Sequence, residues 1–430
     1  MMNKLVHSIR EAIQLSGLKS GMSISFHHHL RNGDYTLNMV MREIADLGIR
    51  DLTLNASSLF DCHAELAEHI KNHVVRRINC NYMSAGLGHM ISEGLMEECV
   101  NFRTHGGRPA DIANGSTPID VAFIAAPTAD PAGNLTGKTG PSACGSLGYA
   151  FPDAQYADKV IAITDHLAPY PLIGWSIPEI YVDYVVQVEA IGNPQGIVSG
   201  TTKITRDPVG LIMAQTAVKV IQNSGLLKDG FSFQTGAGGA SLAAAKYLMD
   251  VMVRDQIHGS FASGGITGYL VDMLNAGCFE SLMDVQCFDL KAVESIRTNP
   301  RHQEISAMQY ASPFCPSAVV DQLDVVILGA TEIDTDFNVN VHTDSNGYIM
   351  GGSGGHSDTA AGAKLSMIIA PLFRARLPIV TDHVGCISTP GRDIDVVVTQ
   401  RGVAVNPKNA ELAQRLADAG VNVVDIHELK

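Results

Sequence analysis

The run Ile119-Asp120-Val121-Ala122-Phe123-Ile124 returns as Leu323-Asp324-Val325-Val326-Ile327-Leu328, displaced by 204 positions. The register survives past the apolar run, since Asp130 meets Asp334 and Asn134 meets Asn338 at the same displacement. Looser echoes join Gly21-Met22-Ser23-Ile24 to Gly230-Phe231-Ser232-Phe233, and Tyr184-Val185-Val186 to Val396-Val397-Val398. A chain that repeats a strand together with the loop after it is built from two related halves. With the turn-forming Gly192-Asn193-Pro194 between them, the halves are expected at residues 1–195 and 196–430. The cleft between two such halves is the expected place for a ligand.

Val- and Ile-rich runs at 51–54, 120–125, 159–164, 183–188, 231–234, 324–329, 366–370 and 393–399 alternate with helical stretches. Nearly continuous apolar strands of this kind are buried on both faces, so the fold class is α/β, with two related, open, mainly parallel sheets. With 46% hydrophobic residues in 430, there is ample material for two large cores. The formal charge of -14, without a run of Lys and Arg, argues against a nucleic-acid partner. Residues 1–21 read as an amphipathic helix carrying Leu5, Ile9, Ile13 and Leu18, not as a leader or a membrane span, so the cytoplasm is expected. The eight cysteines include no Cys-x-x-Cys pair and read as reduced, mostly core thiols.

Three glycine motifs carry the chemistry. In Phe231-Ser232-Phe233-Gln234-Thr235-Gly236-Ala237-Gly238-Gly239 a strand runs into a glycine loop and the start of a helix, which aims backbone N–H groups at an oxyanion or phosphate. The loop is not a dinucleotide fingerprint, because Ser241 stands where the last glycine belongs; its alternative reading is a tight turn with close helix packing. Gly351-Gly352-Ser353-Gly354-Gly355-His356-Ser357-Asp358 satisfies the nucleophile-elbow pattern around Ser353, with Asp382, His383, Asp395 or His427 as nominal triad partners. The same cluster could instead present backbone donors to a developing negative charge, or be a plain flexible loop. Phe261-Ala262-Ser263-Gly264-Gly265-Ile266-Thr267-Gly268 is the third and weakest.

His27-His28-His29 follows the first expected strand, in the position that repeats the 234–239 loop. Consecutive histidines cannot all face one ion, so no metal site is expected. His69 and His73 read as one helix face. Arg103, His105, Gly106, Gly107 and Arg108 form a short cationic cluster, in which Arg108 suits bidentate carboxylate recognition.

Several long strings resemble the citrate lyase alpha chains, within the wider group of coenzyme A transferases. They are Ser25-Phe26-His27-His28, Asn38-Met39-Val40-Met41, His105-Gly106-Gly107-Arg108, Cys144-Gly145-Ser146-Leu147-Gly148-Tyr149-Ala150, Gln234-Thr235-Gly236, Gly264-Gly265-Ile266-Thr267, Glu332-Ile333-Asp334-Thr335, Phe337-Asn338-Val339-Asn340-Val341 and Ser353-Gly354-Gly355-His356. The resemblance implies an acyl transferase in which acetyl-carrier and citrate give citryl-carrier and acetate. The thioester would belong to free coenzyme A or to the arm of an acyl carrier subunit, with no metal or redox cofactor of the chain's own. Beta and gamma subunits are the implied partners, and self-association is expected.

Many related transferases use a glutamate nucleophile, in a loop aligned with Ser263-Gly264-Gly265. No Glu occurs from 261 through 277, so direct attack by the substrate carboxylate is the expected route. That assigns backbone donors at 236–239 and 352–355 to the thioester carbonyl, with Gly238, Gly239, Gly354, Gly355 and His356 as the catalytic set. Gln234, Gly236, Ala237, Ser263, Gly264, Gly265, Ser353, Asp358, Arg108 and Asn340 are expected around the substrate, with Asp358 orienting His356 and Arg108 clamping a carboxylate. The rival readings are transfer to another acid (citramalate, malonate or a monocarboxylate), a serine hydrolase using Ser353, and a non-catalytic effector-sensing module.

Overall fold

The computed structural model describes residues 4–198, 203–374 and 376–430. Two large sheets dominate it. The first is made from β1 (Leu5–Val6), β2 (Ser23–Phe26), β3 (Leu52–Ala56), β4 (Val75–Cys80), β5 (Asn101–Phe102), β6 (Val121–Ala125), β7 (Lys159–Thr164) and β8 (Tyr184–Gln187). The second holds β9 (Ser232–Thr235), β10 (Gly259–Ile266), β11 (Phe279–Cys287), β12 (His302–Glu304), β13 (Val325–Leu328), β14 (Leu365–Ile369), β15 (Val396–Val398), β16 (Val403–Val405) and β17 (Val423–Val424).

The spatial orders are β1-β8-β7-β6-β2-β3-β4-β5 and β12-β11-β10-β9-β13-β14-β15-β16-β17. Read from opposite ends, seven strands of each sheet follow one topology, with β2 answering β9 and β6 answering β13. All pairs are parallel except β15 with β16. Strands β6, β13 and β14 are buried along their whole length, as strands covered on both faces must be.

The repeated aspartates have a shared physical task. Asp120 Oδ2 accepts from the Ser23 amide at 2.7 Å, while the Ser23 hydroxyl accepts from the Asp120 amide at 3.1 Å. Asp324 and Ser232 make the same exchange at 2.9 and 2.8 Å, so each central strand is locked to its neighbour at its first residue. Asp130 and Asp334 each gather the amide and side chain of the asparagine four residues on, which closes the same loop twice.

At the amino end the expected helix is shorter, Ile9–Ser16. Ser8 caps it by accepting from the Glu11 amide, and Gly17 ends it in a left-handed conformation. Leu5, placed in that helix by its spacing, instead joins Val6 in an edge strand beside β8. His73 likewise lies beyond its helix, Leu66–Lys71, at φ 55°. All eight cysteines are free; Cys80, Cys144, Cys278 and Cys287 are buried, and Cys99 is exposed. Among the described residues no helix is long and apolar enough to cross a membrane.

The two halves are joined by hydrogen bonds to backbone carbonyls. Gln286 donates to the His28 carbonyl at 2.8 Å, Ser146 to the Asp284 carbonyl at 2.9 Å, and the Ala307 amide to the Gly148 carbonyl at 2.9 Å. At Gly106 a Cβ would stand 1.9 Å from the Ala311 carbonyl oxygen, so the closeness of this contact depends on glycine.

Candidate active site

In parallel α/β sheets ligands gather at the carboxyl ends of the strands. Here those ends converge: His27, His28 and His29 follow β2, Asn81 and Tyr82 follow β4, Gly236 follows β9 and Gly329 follows β13. The 351–355 loop comes from the second half and is seated on the first. Gly351 O accepts from the Met83 amide at 3.1 Å, the Gly354 amide donates to Asn81 O at 3.2 Å, and Gly354 O accepts from the His105 amide at 2.8 Å. Gly354 adopts φ +51°, and a Cβ there would lie 3.2 Å from His105 Nε2, so both conformation and space favour glycine. On the other side, Gly355 faces Tyr310, whose hydroxyl would be 2.5 Å from an added Cβ. The loop is wedged, not loose.

Asp358, in the helix His356–Gly362 that follows, accepts from Thr104 Oγ1 at 2.5 Å and from the Gly106 amide at 2.9 Å. Burial pushes its carboxyl up to about 6, against the opposing pull of these two donors.

Rings line the first half's wall. Tyr149 stacks on His28 at 4.7 Å and lies 4.4 Å from His105. Burial lowers His27 to about 4 and His105 to about 3, and holds His28 and His29 well below the ordinary histidine range, so this wall is neutral. His27 Nε2 accepts from the Ala125 amide at 3.0 Å, which places its proton on Nδ1. Arg31 brings a mostly buried cation to this wall. Its guanidinium lies 5.6 Å from the Phe60 ring and 4.6 Å from the Phe288 ring, and its Nη1 is buried without a hydrogen-bond partner. Arg31 also stands at φ 50°, an uncommon backbone conformation for a side chain of this size.

The structure brings some of the expected residues together and disperses others. Gln234 Nε2 donates to Tyr310 Oη at 2.8 Å, and Gly264, at φ +101°, packs against the Gln234 side chain. Gly265 lies under the Phe288 ring, and Ser263 is fully buried with its hydroxyl unpartnered. Gln234 and Gly355 thus meet at Tyr310, Gly264 packs on Gln234, and Gly265 packs on Phe288. Gly238 caps the helix Gly239–Asp255 and is exposed, with Ala237 and Gly239 beside it half-buried. The Gly236 amide donates to the Ile327 carbonyl at 2.9 Å.

Arg108 is not an open clamp: its Nη2 donates to Asp153 Oδ2 at 2.8 Å, and both residues are buried. Both His356 nitrogens are engaged, Nδ1 with Thr389 Oγ1 and Nε2 with the Gly329 carbonyl, each at 2.8 Å, and Asp358 turns to Thr104 rather than to His356. Asn340 is fully buried and ties Glu332 to Thr343. Ser353 Oγ meets Ser357 Oγ at 2.8 Å, while Asp395 binds Ser366 and Asp382 pairs with Lys430, so both nominal triad aspartates lie in other contacts.

Asp284, Cys287 and His302 carry ligand atoms within 4.8 Å of one another and could hold a metal ion. They form a buried chain, with Asp284 Oδ2 accepting from both His302 Nε2 and Cys287 Sγ at 2.9 Å. Beside His342, a cavity of about 510 Å³ has an apolar floor of Ile91, Met96, Val100, Phe102 and Ile349 and carries Glu97 and Glu98 in its lining.

Arg31, Tyr149, Tyr310 and Phe288 were not singled out as site residues from the sequence. Two of them had a usable signal: Arg31, through the place of its loop opposite the 236–239 loop in the repeat, and Tyr149, which lies in the string 144–150 that carries the family resemblance.

Comparison with known proteins follows the same line. The family model described as citrate lyase, alpha subunit (CitF), matches residues 2–430. The chain is 49% identical over 426 residues to the citrate lyase alpha chain of Haemophilus influenzae, covering 99% of this chain and 85% of that one. It is also 49% identical over 427 residues to that of Escherichia coli K12, covering 99% and 84%. The alpha subunit of citrate lyase from Streptococcus mutans, solved in complex with citrate, matches with a TM-score of 0.98 at 49% identity, over 100% of this chain and 84% of that one. A malonate decarboxylase hetero-tetramer from Pseudomonas, at 19% identity and a TM-score of 0.75 over 97% of this chain and 83% of that one, shares the fold. The chain belongs to the citrate lyase alpha subunit family, the transferase subunit of that enzyme.

Proposed function

We propose that the cleft exchanges acetate for citrate on a thioester carried by free coenzyme A or by an acyl carrier subunit. The supporting observation is the 352–355 loop of the second half, held against Asn81 and His105 of the first where the strand ends of both sheets converge. A carboxylate oxygen of citrate attacks the thioester carbonyl carbon. The tetrahedral oxyanion collapses with loss of the thiolate, giving a mixed acetyl–citryl anhydride. The thiolate then attacks the citryl carbonyl, and acetate leaves. This sequence asks the protein for alignment and for donors to the oxyanion, and needs no glutamate.

The donors are assigned to the Gly355 amide and to the amides of Gly238 and Gly239, which begin a helix and lack intrahelical acceptors. Gly236, Ser353 and Gly354 are not assigned this task, because their amides already donate to Ile327, His342 and Asn81. Gln234 and Tyr310 position the loop at Gly355. His356 fixes the start of its helix, and Asp358 joins the halves, which we place on either side of residue 195. Beta and gamma subunits are the proposed partners.

The reading is tested by mass spectrometry of the full chain incubated with acetyl-coenzyme A, or with an acetylated carrier protein, and citrate. Joint appearance of a citryl thioester and acetate supports it; acetate without a citryl thioester overturns it.

A further inference from the structure

We propose that Arg31 is the subsite for a carboxylate of the acceptor that does not react, and that it selects a polycarboxylate over acetate. The inference rests on the transferase reading above. Three other cations near the cleft are paired, Arg108 with Asp153 at 2.8 Å, Arg103 with Asp111 at 2.5 Å and Lys138 with Glu304 at 2.8 Å, while Lys203 and Arg206, beside the 236–239 loop, are exposed to solvent rather than buried. The neighbouring histidines are held neutral by burial. Among the described residues, Arg31 has no carboxylate partner and makes no side-chain hydrogen bond, and burial lowers its pKa.

Withdrawing a guanidinium from water without a counter-charge is costly, so such a group persists where a ligand supplies the missing charge. The surroundings fix it for that task. Phe60 from the first half and Phe288 from the second hold the guanidinium by cation–π contact, which leaves the N–H edges free for a planar carboxylate. The loop carrying Arg31 follows β2, so it answers, across the cleft, the 236–239 loop that follows β9. A chain with net charge -14 repels an anionic acceptor, and a local cation in the cleft offsets that field. Citrate has carboxylates to spare once one has attacked the thioester, whereas the only carboxylate of acetate is the reacting one. Arg31 therefore distinguishes the two by a contact that acetate cannot make.

The test compares citrate-dependent formation of citryl-coenzyme A with isotope exchange between labelled acetate and acetyl-coenzyme A, in wild type, Arg31→Met and Arg31→Lys. The predicted result is that the ratio of kcat/KM for citrate to that for acetate falls about 10- to 100-fold in Arg31→Met, the loss expected for a charged hydrogen bond. In Arg31→Lys, which keeps the charge and loses the fork, the ratio falls less. An unchanged ratio, whether both reactions survive or both fall together with the melting temperature, overturns the subsite and marks Arg31 as structural. Wild-type protein that carries out neither reaction, with acetyl-coenzyme A or with an acetylated carrier protein, overturns the transferase reading itself, and the subsite with it.

Discussion

Asp358 Oδ2 accepts a hydrogen bond from the Gly106 amide at 2.9 Å, and this contact latches the helix after the 351–355 loop to the other half of the molecule. The carboxyl is raised to about 6 by burial, so the folded chain holds a proton that the unfolded chain has released. Stability from this group is therefore greatest below its ordinary value near 4 and is lost as pH rises towards 6, by up to about 3 kcal/mol. Asp358→Asn removes the titration and keeps one acceptor. Urea unfolding at pH 4.5 and 7.5 should show the variant losing ground to wild type at the lower pH; a difference independent of pH contradicts the latch.

The histidines act in the opposite sense and outnumber it. His27 and His356 are lowered to about 4, His105 to about 3, and His28 and His29 lie well below the ordinary range, in every case chiefly through burial. Each contributes stability that is fully present above about 6.5 and is lost as pH falls, and for His27 and His356 the loss on reaching pH 4 is as much as about 3 kcal/mol apiece. His63 differs: burial disfavours its charge, but hydrogen bonds to Asp34 and Cys62 outweigh this and raise it to about 9, so its contribution is lost as pH rises from about 6.5 through 9. Urea midpoints measured from pH 4.5 to 9.5 should therefore peak near neutrality and fall steeply on the acid side. A flat acid limb would mean that these rings are hydrated.

Removing Arg108 strands Asp153, which is 1% exposed. Arg108→Met should cost about 3–5 kcal/mol, the range for breaking a buried ion pair from one side. In a double variant with Asp153→Asn much of that loss should return. Citrate KM of the folded protein should change little in either, and a large rise in KM without loss of stability would restore Arg108 as a carboxylate clamp.

Glycine substitutions separate packing from chemistry. At Gly238, φ is -69° and the nearest atom to an added Cβ is Ser241 Oγ at 3.9 Å, so Gly238→Ala should fold with an unchanged melting temperature. At Gly106 the methyl would meet a backbone oxygen at 1.9 Å, and Gly106→Ala should be strongly destabilised by separation of the halves. Gly354→Ala combines left-handed strain of about 1–2 kcal/mol with contact on His105, and its rate should drop on the order of 100-fold or more through displacement of the loop. Thermal melts alongside turnover decide each case, and normal turnover in Gly354→Ala would remove the loop from the reaction.

The fold was legible because the repeat is written in residues that do the same physical work twice. Asp120 and Asp324 lock the first residue of a central strand, and Asp130 and Asp334 close the loop beyond. Strands such as β4 were missed because the consecutive charges Arg76 and Arg77 interrupt its apolar run. Of the site, the glycine loops could be read because close backbone approach leaves a compositional trace. The role of Arg108 could not, because a sequence does not show which arginine finds a carboxylate; Asp153, 45 residues away, decides it. Tyr310 and Phe288 left no mark for the same reason, since each matters only through partners on distant elements, and Tyr149 was visible in the string 144–150 without its ring contacts.

The most direct measurement follows oxygen during a single turnover, with the full chain in excess over acetyl thioester and with citrate labelled with ¹⁸O in its carboxylates. Direct attack makes a citrate oxygen the bridge of the mixed anhydride, so the released acetate should carry one ¹⁸O. Unlabelled acetate would contradict direct attack, because it would show that the oxygen came from an enzyme carboxylate or from water.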